Sequence, residues 1–308
     1  MNEEILQLVK KKTQLERALS ELVYGAPEVR TEGDKRYIYV HYRLSGKQVT
    51  NFVGEYSDDL LNLIAKNNEK ARPLKRELRE VKHALNKHGY AEQFLPESVR
   101  RNIDFAKRNL ALTIHSQAIL EGVATTFAST EEVIEGGQVS GMSAQDIAKI
   151  LNMKHAWEFI LDSDVIMTPQ NLGLLMQINK LIEEGFYYNA GKVRDVPVRI
   201  GGTTWSPELP ITSKIEEDLV EILSNNIPDL DKAIELVLYV QRSQIFLDGN
   251  KRTAVIFANH FLISRGLGLI YIPAELVEEY KQLLVEYYET TNAAKISKFL
   301  REKCLLKI

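Results

Sequence analysis

The sequence has few of the residues that cross-link a chain or place it in a membrane. Its 308 residues include one cysteine, Cys304, which cannot form an internal disulfide and is typical of a reducing compartment. No apolar run approaches the roughly 18 residues that span a bilayer. Charged residues follow Met1 where a secretory signal would be apolar, so we expect no signal peptide. These features predict a cytoplasmic protein, with the bacterial cytoplasm as the default.

A strong excess of either charge is also missing. The chain has 39 Lys and Arg against 42 Asp and Glu, which gives a formal net charge of −3. This balance argues against a protein that works mainly by holding nucleic-acid phosphates. The sequence also has no His/Cys metal spacing and no Ser-His-Asp signature, so hydrolytic and redox chemistry find no support. A hydrophobic content of 44% is that of an ordinary globular protein, and the length allows one large or two modest domains.

The first 90 residues read as a helix, a β segment and a second helix. Apolar residues recur at helical spacing over 1–24, and residues 28–56 are rich in β-forming side chains that predict a hairpin or meander. Residues 57–87 are helical again, with a break or bend expected near Pro73. Within 66–87 there are eight Lys or Arg and three acidic residues. The basic face of this helix favours a solvated or intramolecular docking surface, and contact with nucleic acid or an acidic partner is the minor alternative.

The rest of the chain is almost entirely helical in pattern. We place the boundary at Gly89–Pro96, which gives an N-terminal helix–β-hairpin–helix accessory module over 1–92 and a second domain over 98–303. One segment, 196–205, carries β-branched residues and a Gly-Gly pair, and it predicts a β-hairpin. Candidate helices cover residues 98–121, 143–162, 168–184, 213–225, 230–245, 251–265, 273–289 and 292–302.

The most informative stretch is Gln-Ile-Phe-Leu-Asp-Gly-Asn-Lys-Arg-Thr-Ala, residues 244–254. Asp248 is a hard oxygen ligand that suits Mg²⁺. Gly249 lets backbone approach a ligand closely, and Asn250 stands where a helix begins. The amides of that helix, together with the cations of Lys251 and Arg252, predict a site for a pyrophosphate group.

These residues resemble the signature of the Fic/Doc family, His-x-Phe-x-Asp/Glu-Gly-Asn-Gly/Lys-Arg. The family's catalytic histidine position is occupied by Gln244, and the position of a second arginine found in many members is Val255. The residues that fall on the signature in order are Phe246, Asp248, Gly249, Asn250 and Arg252.

The resemblance implies a mostly α fold, in which a Fic-like helical bundle over 98–303 carries a β-hairpin flap and follows the N-terminal α/β accessory module. It implies a protein adenylyltransferase, which transfers AMP from Mg·ATP to a protein hydroxyl. ATP and magnesium are the implied cofactors. Asp248 would hold the metal, and the phosphates would lie on Gly249, Asn250, Lys251 and Arg252. The flap would dock the target protein through Ile200, Gly201, Gly202, Thr203 and Thr204.

The glutamine at position 244 puts activity in question. The family histidine accepts a proton from the attacking hydroxyl, whereas an amide does not titrate near neutral pH. The chain is therefore an impaired adenylyltransferase, a nucleotide-binding pseudoenzyme, or a regulator that acts through its N-terminal module. Lys251 leaves a further alternative open, because the Doc branch has lysine at this position and transfers a phosphoryl group. Lys251 and position 255 share one helix face, so this lysine is a candidate to replace the missing second arginine.

A second match precedes the signature by more than 100 residues. Ser116–Gly122 resembles the inhibitory helix motif of Fic proteins, in which a glutamate pairs with the second signature arginine. That glutamate is Glu121 here, and its candidate partners are Lys251 and Arg252. The implied partners of the whole chain are a nucleotide and an unidentified target protein, without a membrane. Nucleic acid remains a minor alternative, and a homodimer remains open.

Overall fold

The computed structural model describes residues 3–44, 47–88, 95–137 and 139–308. The chain divides into two compact units, Asn2–Ala91 and Glu92–Ile308. Most of the predicted boundary at Gly89–Pro96 lies outside the described residues, as does the tip of the turn at 45–46. The predicted mostly α fold is confirmed, since helices dominate and the described sheets are small and antiparallel.

The N-terminal unit is a three-stranded meander between two helices. Its strands pair antiparallel in the order β1-β2-β3, and alternate residues of β2, Ile38 and Val40, pack with Ile64 of the second helix. That helix begins at the Ser57 cap and continues through Pro73, where a break was expected. The elements are α1 (Glu3–Ser20), β1 (Ala26–Glu32), β2 (Lys35–Leu44), β3 (Lys47–Glu55) and α2 (Asp58–Lys87).

The second unit is a helical bundle built around α10. Every residue from Arg252 to Ile263 is buried, so this helix has no solvent face and forms the centre of the core. Helices α9, α7 and α6 contact it, and so does the two-residue strand β4. The elements are α3 (Glu97–Arg108), α4 (Leu110–Leu120), α5 (Phe127–Glu135), α6 (Ala144–Ile160), α7 (Leu172–Ile182), α8 (Thr212–Ser224), α9 (Asp229–Ser243), α10 (Asn250–Ile263), β4 (Leu269–Ile270), α11 (Val277–Thr290), α12 (Ala294–Lys303) and β5 (Leu305–Leu306).

Two local predictions for this unit need correction. The helix predicted over 98–121 is two helices that meet at Asn109, whose side-chain amide donates to the carbonyl of Phe105 at 2.8 Å. Asparagine competes in this way with the helical ladder and favours a helix end. Helix α5 and the β4–β5 pair were not predicted, because a nine-residue helix and two-residue strands are too short for a periodic signal.

The predicted β-hairpin over 196–205 is wrong. The segment is an irregular loop with a turn at Gly201–Gly202, and it forms no strand ladder. Side chains hold it instead: Thr203 Oγ1 donates to Glu289 at 2.8 Å, and the ring of Trp205 stacks on Tyr288 with centroids 5.4 Å apart. We call residues 196–205 the flap segment. In the described part of the chain, no helix is both long and apolar enough to cross a bilayer.

The buried His260 of α10 predicts a loss of stability in acid. Its Nδ1 lies 2.7 Å from the amide nitrogen of Gln170, and its Nε2 lies 2.9 Å from the carbonyl oxygen of Val165. The ring therefore accepts at Nδ1 and donates at Nε2, which is the neutral form. Complete burial lowers the pKa of His260 to about 4. An unfolded histidine titrates near 6.5, so the unfolded chain takes up a proton between pH 6.5 and 4 that the folded chain refuses.

We expect this histidine to lower the free energy of unfolding by about 2–3 kcal/mol between pH 7 and pH 4.5. Urea unfolding at both pH values measures the loss in wild type. His260→Gln keeps a donor and an acceptor but does not titrate, so its loss over the same interval should be smaller by that amount. An equal loss in both proteins would contradict the assignment.

Candidate functional site

The signature stretch forms a tight loop between α9 and α10. Helix α9 ends at Gln244, which has left-handed backbone angles of φ 44° and ψ 56°. Asn250 closes the loop from inside: its Oδ1 accepts from Phe246 N at 2.9 Å, and its Nδ2 donates to Phe246 O at 2.9 Å. The Asn250 side chain therefore holds the loop, so only its backbone amide remains for the predicted phosphate contact. Phe246 is buried.

A buried arginine that sequence reasoning missed fixes the start of this loop. Arg194 Nε donates to Gln244 O at 2.6 Å, and Arg194 N donates to Ile245 O at 2.9 Å. The other guanidinium nitrogens donate to the carbonyls of Val196 at 2.8 Å and Glu208 at 2.5 Å. Burial lowers the pKa of Arg194 from its ordinary value. This one side chain therefore joins the loop to Val196, at the start of the flap segment, and to Glu208, which follows the segment.

The beginning of α10 offers backbone amides to a ligand. Gly249 precedes the helix with φ 75°, a left-handed value that glycine adopts without strain. The first hydrogen bond of the helix joins Thr253 N to Gly249 O at 2.9 Å. The amides before Thr253 belong to the first turn, which has no intrahelical acceptors. Such an end is a suitable place for an anion.

Asp248 is the most accessible charged group of the loop. Its side chain is 49% exposed, with Oδ1 accepting from Gly249 N at 2.6 Å and Oδ2 accepting from Tyr187 OH at 3.3 Å. No cluster of three or more His, Cys, Asp or Glu among the described residues could hold a metal ion by itself. Mg²⁺ in nucleotide sites commonly takes one or two carboxylates together with waters and substrate phosphates. A half-exposed Asp248 beside an anion site fits that mode of binding.

Two carboxylates face the cations of the site. Arg252 Nη2 lies 2.7 Å from Glu183 Oε1, and Arg252 Nε lies 3.6 Å from Glu121 Oε2. Lys251 Nζ lies 3.5 Å from Glu121 Oε1. Glu121 therefore lies near both of its candidate partners. Glu183, at the end of α7, was not predicted, because its sequence context is that of an ordinary helix terminus.

Within this cluster, the pKa of Glu183 is strongly shifted. Burial raises the pKa of Glu183 to about 7; Arg252 opposes the shift, and the negative charges of Asp248 and Glu121 add to it. Arg252 is 2% exposed, yet within the described parts of the chain its Nε and Nη1 have no hydrogen-bond partner. A buried guanidinium with unused donors can accept an anionic ligand. The residues at this site thus fit a nucleotide phosphate group.

Gln244 is used as a structural side chain. Its Nε2 donates to Gln241 O at 2.6 Å, its Oε1 accepts from Asn250 Nδ2 at 3.2 Å, and it forms a hydrogen bond with Tyr288. None of these atoms can accept a proton near neutral pH. His260 bonds to Val165 and Gln170, with both of its ring nitrogens engaged.

The predicted docking residues lie in the turn of the flap segment. Ile200 is half-buried, while Gly201, Gly202 and Thr204 are exposed. Trp205 of the flap segment stacks on Tyr288, which is a hydrogen-bond partner of Gln244 in the loop. Arg242 lies with its guanidinium carbon 4.8 Å from the centre of the Trp205 ring. No motif in the sequence marks this aromatic contact.

Comparison with known proteins identifies the region that contains this loop. The model of the Fic/DOC family matches residues 169–262, from the approach to α7 through most of α10. This region is of the Fic/DOC family. The resemblance drawn from the signature is therefore confirmed at the level of the family. No curated protein matches the chain.

Solved Fic structures share the fold. A fragment of Fic-1 from C. elegans matches with a TM-score of 0.53 and 19% identity, covering 80% of this chain and 73% of that one. A Fic domain containing signaling protein from Bacteroides thetaiotaomicron matches with a TM-score of 0.53 and 21% identity, over 67% of this chain and 84% of that one. A Fic family protein from Desulfovibrio desulfuricans matches with a TM-score of 0.51 and 18% identity, covering 68% of this chain and 72% of that one. Identities this low show a common fold.

Proposed function

We propose that this chain binds Mg·ATP at the loop before α10 and transfers AMP to a hydroxyl of another protein, at a rate lowered by Gln244. The observation that carries the proposal is the state of Arg252. Its guanidinium is buried, two of its nitrogens have no hydrogen-bond partner in the described structure, and it lies on the first turn of a central helix. Free donors and a helix N-terminus together favour a phosphate ligand.

Each residue of the loop has a task in this proposal. Arg252 and the first-turn amides of α10 hold the phosphates, and Lys251 adds a second cation beside them. Asp248 holds Mg²⁺, which supplies neutralisation of phosphate charge when bound. The flap segment, which the Trp205–Tyr288 stack holds in place, presents the target hydroxyl. Phosphoryl-type transfer depends mainly on positioning and charge stabilisation, which these groups provide.

The missing step is proton removal from the attacking hydroxyl. A general base typically contributes a factor of about 10²–10⁴, and Gln244 supplies none of it. The proposed reaction is therefore slow in the natural chain. A Doc-like transfer of phosphate is distinguished from AMP transfer by the mass that the acceptor protein gains.

A second candidate function is a nucleotide-binding pseudoenzyme. The specific observation in its favour is that Gln244 serves the loop as a brace, with its amide engaged by Gln241 and Asn250. A side chain that serves this purpose needs no catalytic role. Both candidates require a nucleotide site, so nucleotide binding is tested first.

Calorimetric titration with ATP in excess Mg²⁺ is the decisive test. Arg252→Ala should weaken binding by about 10- to 100-fold, because it removes charge-assisted hydrogen bonds to phosphate. Lys298→Ala, which removes an exposed cation from α12, is the matched control and should bind like wild type. Circular dichroism shows whether each variant is folded, and Arg252→Gln provides a second variant of similar volume. Equal affinity in wild type and both Arg252 variants would overturn the proposal.

A further inference from the structure

We propose that Glu183 is an internal anion that occupies the phosphate-binding edges of Arg252, so that a nucleotide must displace its carboxylate in order to bind. The inference rests on the nucleotide site proposed above and adds a residue outside the signature and outside the Glu121 motif. It concerns phosphate-bearing ligands as a class, with inorganic pyrophosphate as the simplest member.

The geometry of the guanidinium explains why Glu183 is the critical carboxylate. An arginine grips phosphate in a bidentate manner through one of two edges, formed by Nη1 with Nη2 or by Nε with Nη2. Nη2 belongs to both edges. Glu183 Oε1 lies 2.7 Å from this nitrogen, whereas Glu121 Oε2 lies 3.6 Å from Nε. Glu183 therefore interferes with both bidentate arrangements, and Glu121 interferes with one.

The loop is shaped around the Glu183 carboxylate. A Cβ atom added to Gly249 would lie 2.4 Å from Glu183 Oε1 and 3.1 Å from Asn179 Nδ2. The absence of a side chain at Gly249 thus provides the space for this oxygen directly beside the start of α10. The backbone of Glu183 is held at the end of α7, since Glu183 N donates to Asn179 O at 2.9 Å.

Burial distinguishes the Glu183–Arg252 pair from an ion pair at the surface. The side chains of Glu183 and Arg252 are 4% and 3% exposed, so water scarcely screens their attraction. Asp248 Oδ1 lies 4.0 Å from the same Nη2, and it is 49% exposed. An incoming phosphate must either displace the buried carboxylate from Arg252 or lie beside it as a second negative charge. Either requirement weakens binding in the natural chain.

The test is a titration of wild type and three variants with pyrophosphate and with Mg·ATP. At pH 8, above the raised pKa of Glu183, Glu183→Gln removes the charge and keeps the shape, and we expect it to tighten the Kd of both ligands by about 10-fold. Glu184→Gln removes the same charge from the exposed neighbouring residue and should leave the Kd unchanged. Glu183→Asp withdraws the carboxylate from Nη2 by one methylene, and it should also tighten binding if Glu183→Gln proves unstable.

The double variant Glu183→Gln with Arg252→Ala shows whether the effect passes through Arg252. We expect the gain from Glu183→Gln to vanish in that background. Unchanged or weaker binding by Glu183→Gln and Glu183→Asp, with binding still lost in Arg252→Ala, would overturn the role of Glu183 and leave the proposed function standing. Absence of binding in wild type and every variant would overturn the proposed function and this inference with it.

Discussion

Replacement of Gln244 by histidine is expected to raise the rate of AMP transfer by about 10²–10⁴-fold. The proposed nucleotide site does not include the Gln244 side chain, so the substitution adds a titratable group without removing a phosphate contact. An imidazole with an ordinary pKa near 6.5 is largely unprotonated at pH 7.5 and can accept the hydroxyl proton. The expected effect is on the rate of transfer, and the affinity for Mg·ATP should stay within about 2-fold of wild type.

The backbone at this position favours the exchange. Gln244 is one of two non-glycine residues with positive φ in the described structure, the other being Thr291. Histidine and asparagine adopt left-handed angles more readily than most residues. Gln244→Asn is therefore a matched control, since it suits the same backbone and does not titrate.

Intact mass after incubation with Mg·ATP measures the outcome, because self-modification requires no known target. Gln244→His should gain the mass of AMP at a rate well above that of wild type, and Gln244→Asn should show no such increase. Addition of Arg252→Ala to Gln244→His should abolish the gain. A histidine variant that binds Mg·ATP but modifies no protein faster than the asparagine variant would show that a base at this position is not the missing component.

Part of the site could be predicted because it lies in one continuous stretch. The loop, the start of α10 and the cations of Lys251 and Arg252 follow from local rules about glycine, helix termini and charge. Most of the helices were predicted because their apolar periodicity is local as well. Glu121 was found through a second short motif. Its candidate partners were Lys251 and Arg252, and it lies near both of them.

The contacts that the sequence did not reveal join distant residues. Glu183 meets Arg252 across 69 positions, and Arg194 meets Gln244 across 50. A single glutamate at a helix end and a single arginine in a loop carry no period or spacing that would mark them. The flap segment was misassigned for a related reason. Its β-branched residues favour a strand, but the carbonyls of Val196 and Glu208 are bound by the Arg194 side chain, which takes the place of a strand partner.

Arg194→Ala is expected to lower the free energy of unfolding by about 2–4 kcal/mol. The substitution removes the donor from three backbone carbonyls, those of Gln244, Val196 and Glu208, and empties a buried volume. Water can reach the partly buried carbonyls, which limits the loss at each one. Urea unfolding at pH 7 measures the change. Arg194→Lys keeps the charge but offers one nitrogen in place of a fork, so an intermediate loss is expected.

The same substitution should weaken binding of Mg·ATP, because Arg194 holds the turn that leads into the proposed phosphate site. With the carbonyl of Gln244 released, the left-handed residue at the end of α9 loses its main restraint, and the loop samples other conformations. The affinity for Mg·ATP should therefore fall as the loop becomes less ordered. The fall in Arg194→Lys should again be intermediate. Loss of stability without loss of affinity would mean that the Asn250 bonds to Phe246 suffice to hold the loop. If stability and Mg·ATP affinity both stay within error of wild type, Arg194 is not needed to hold the site.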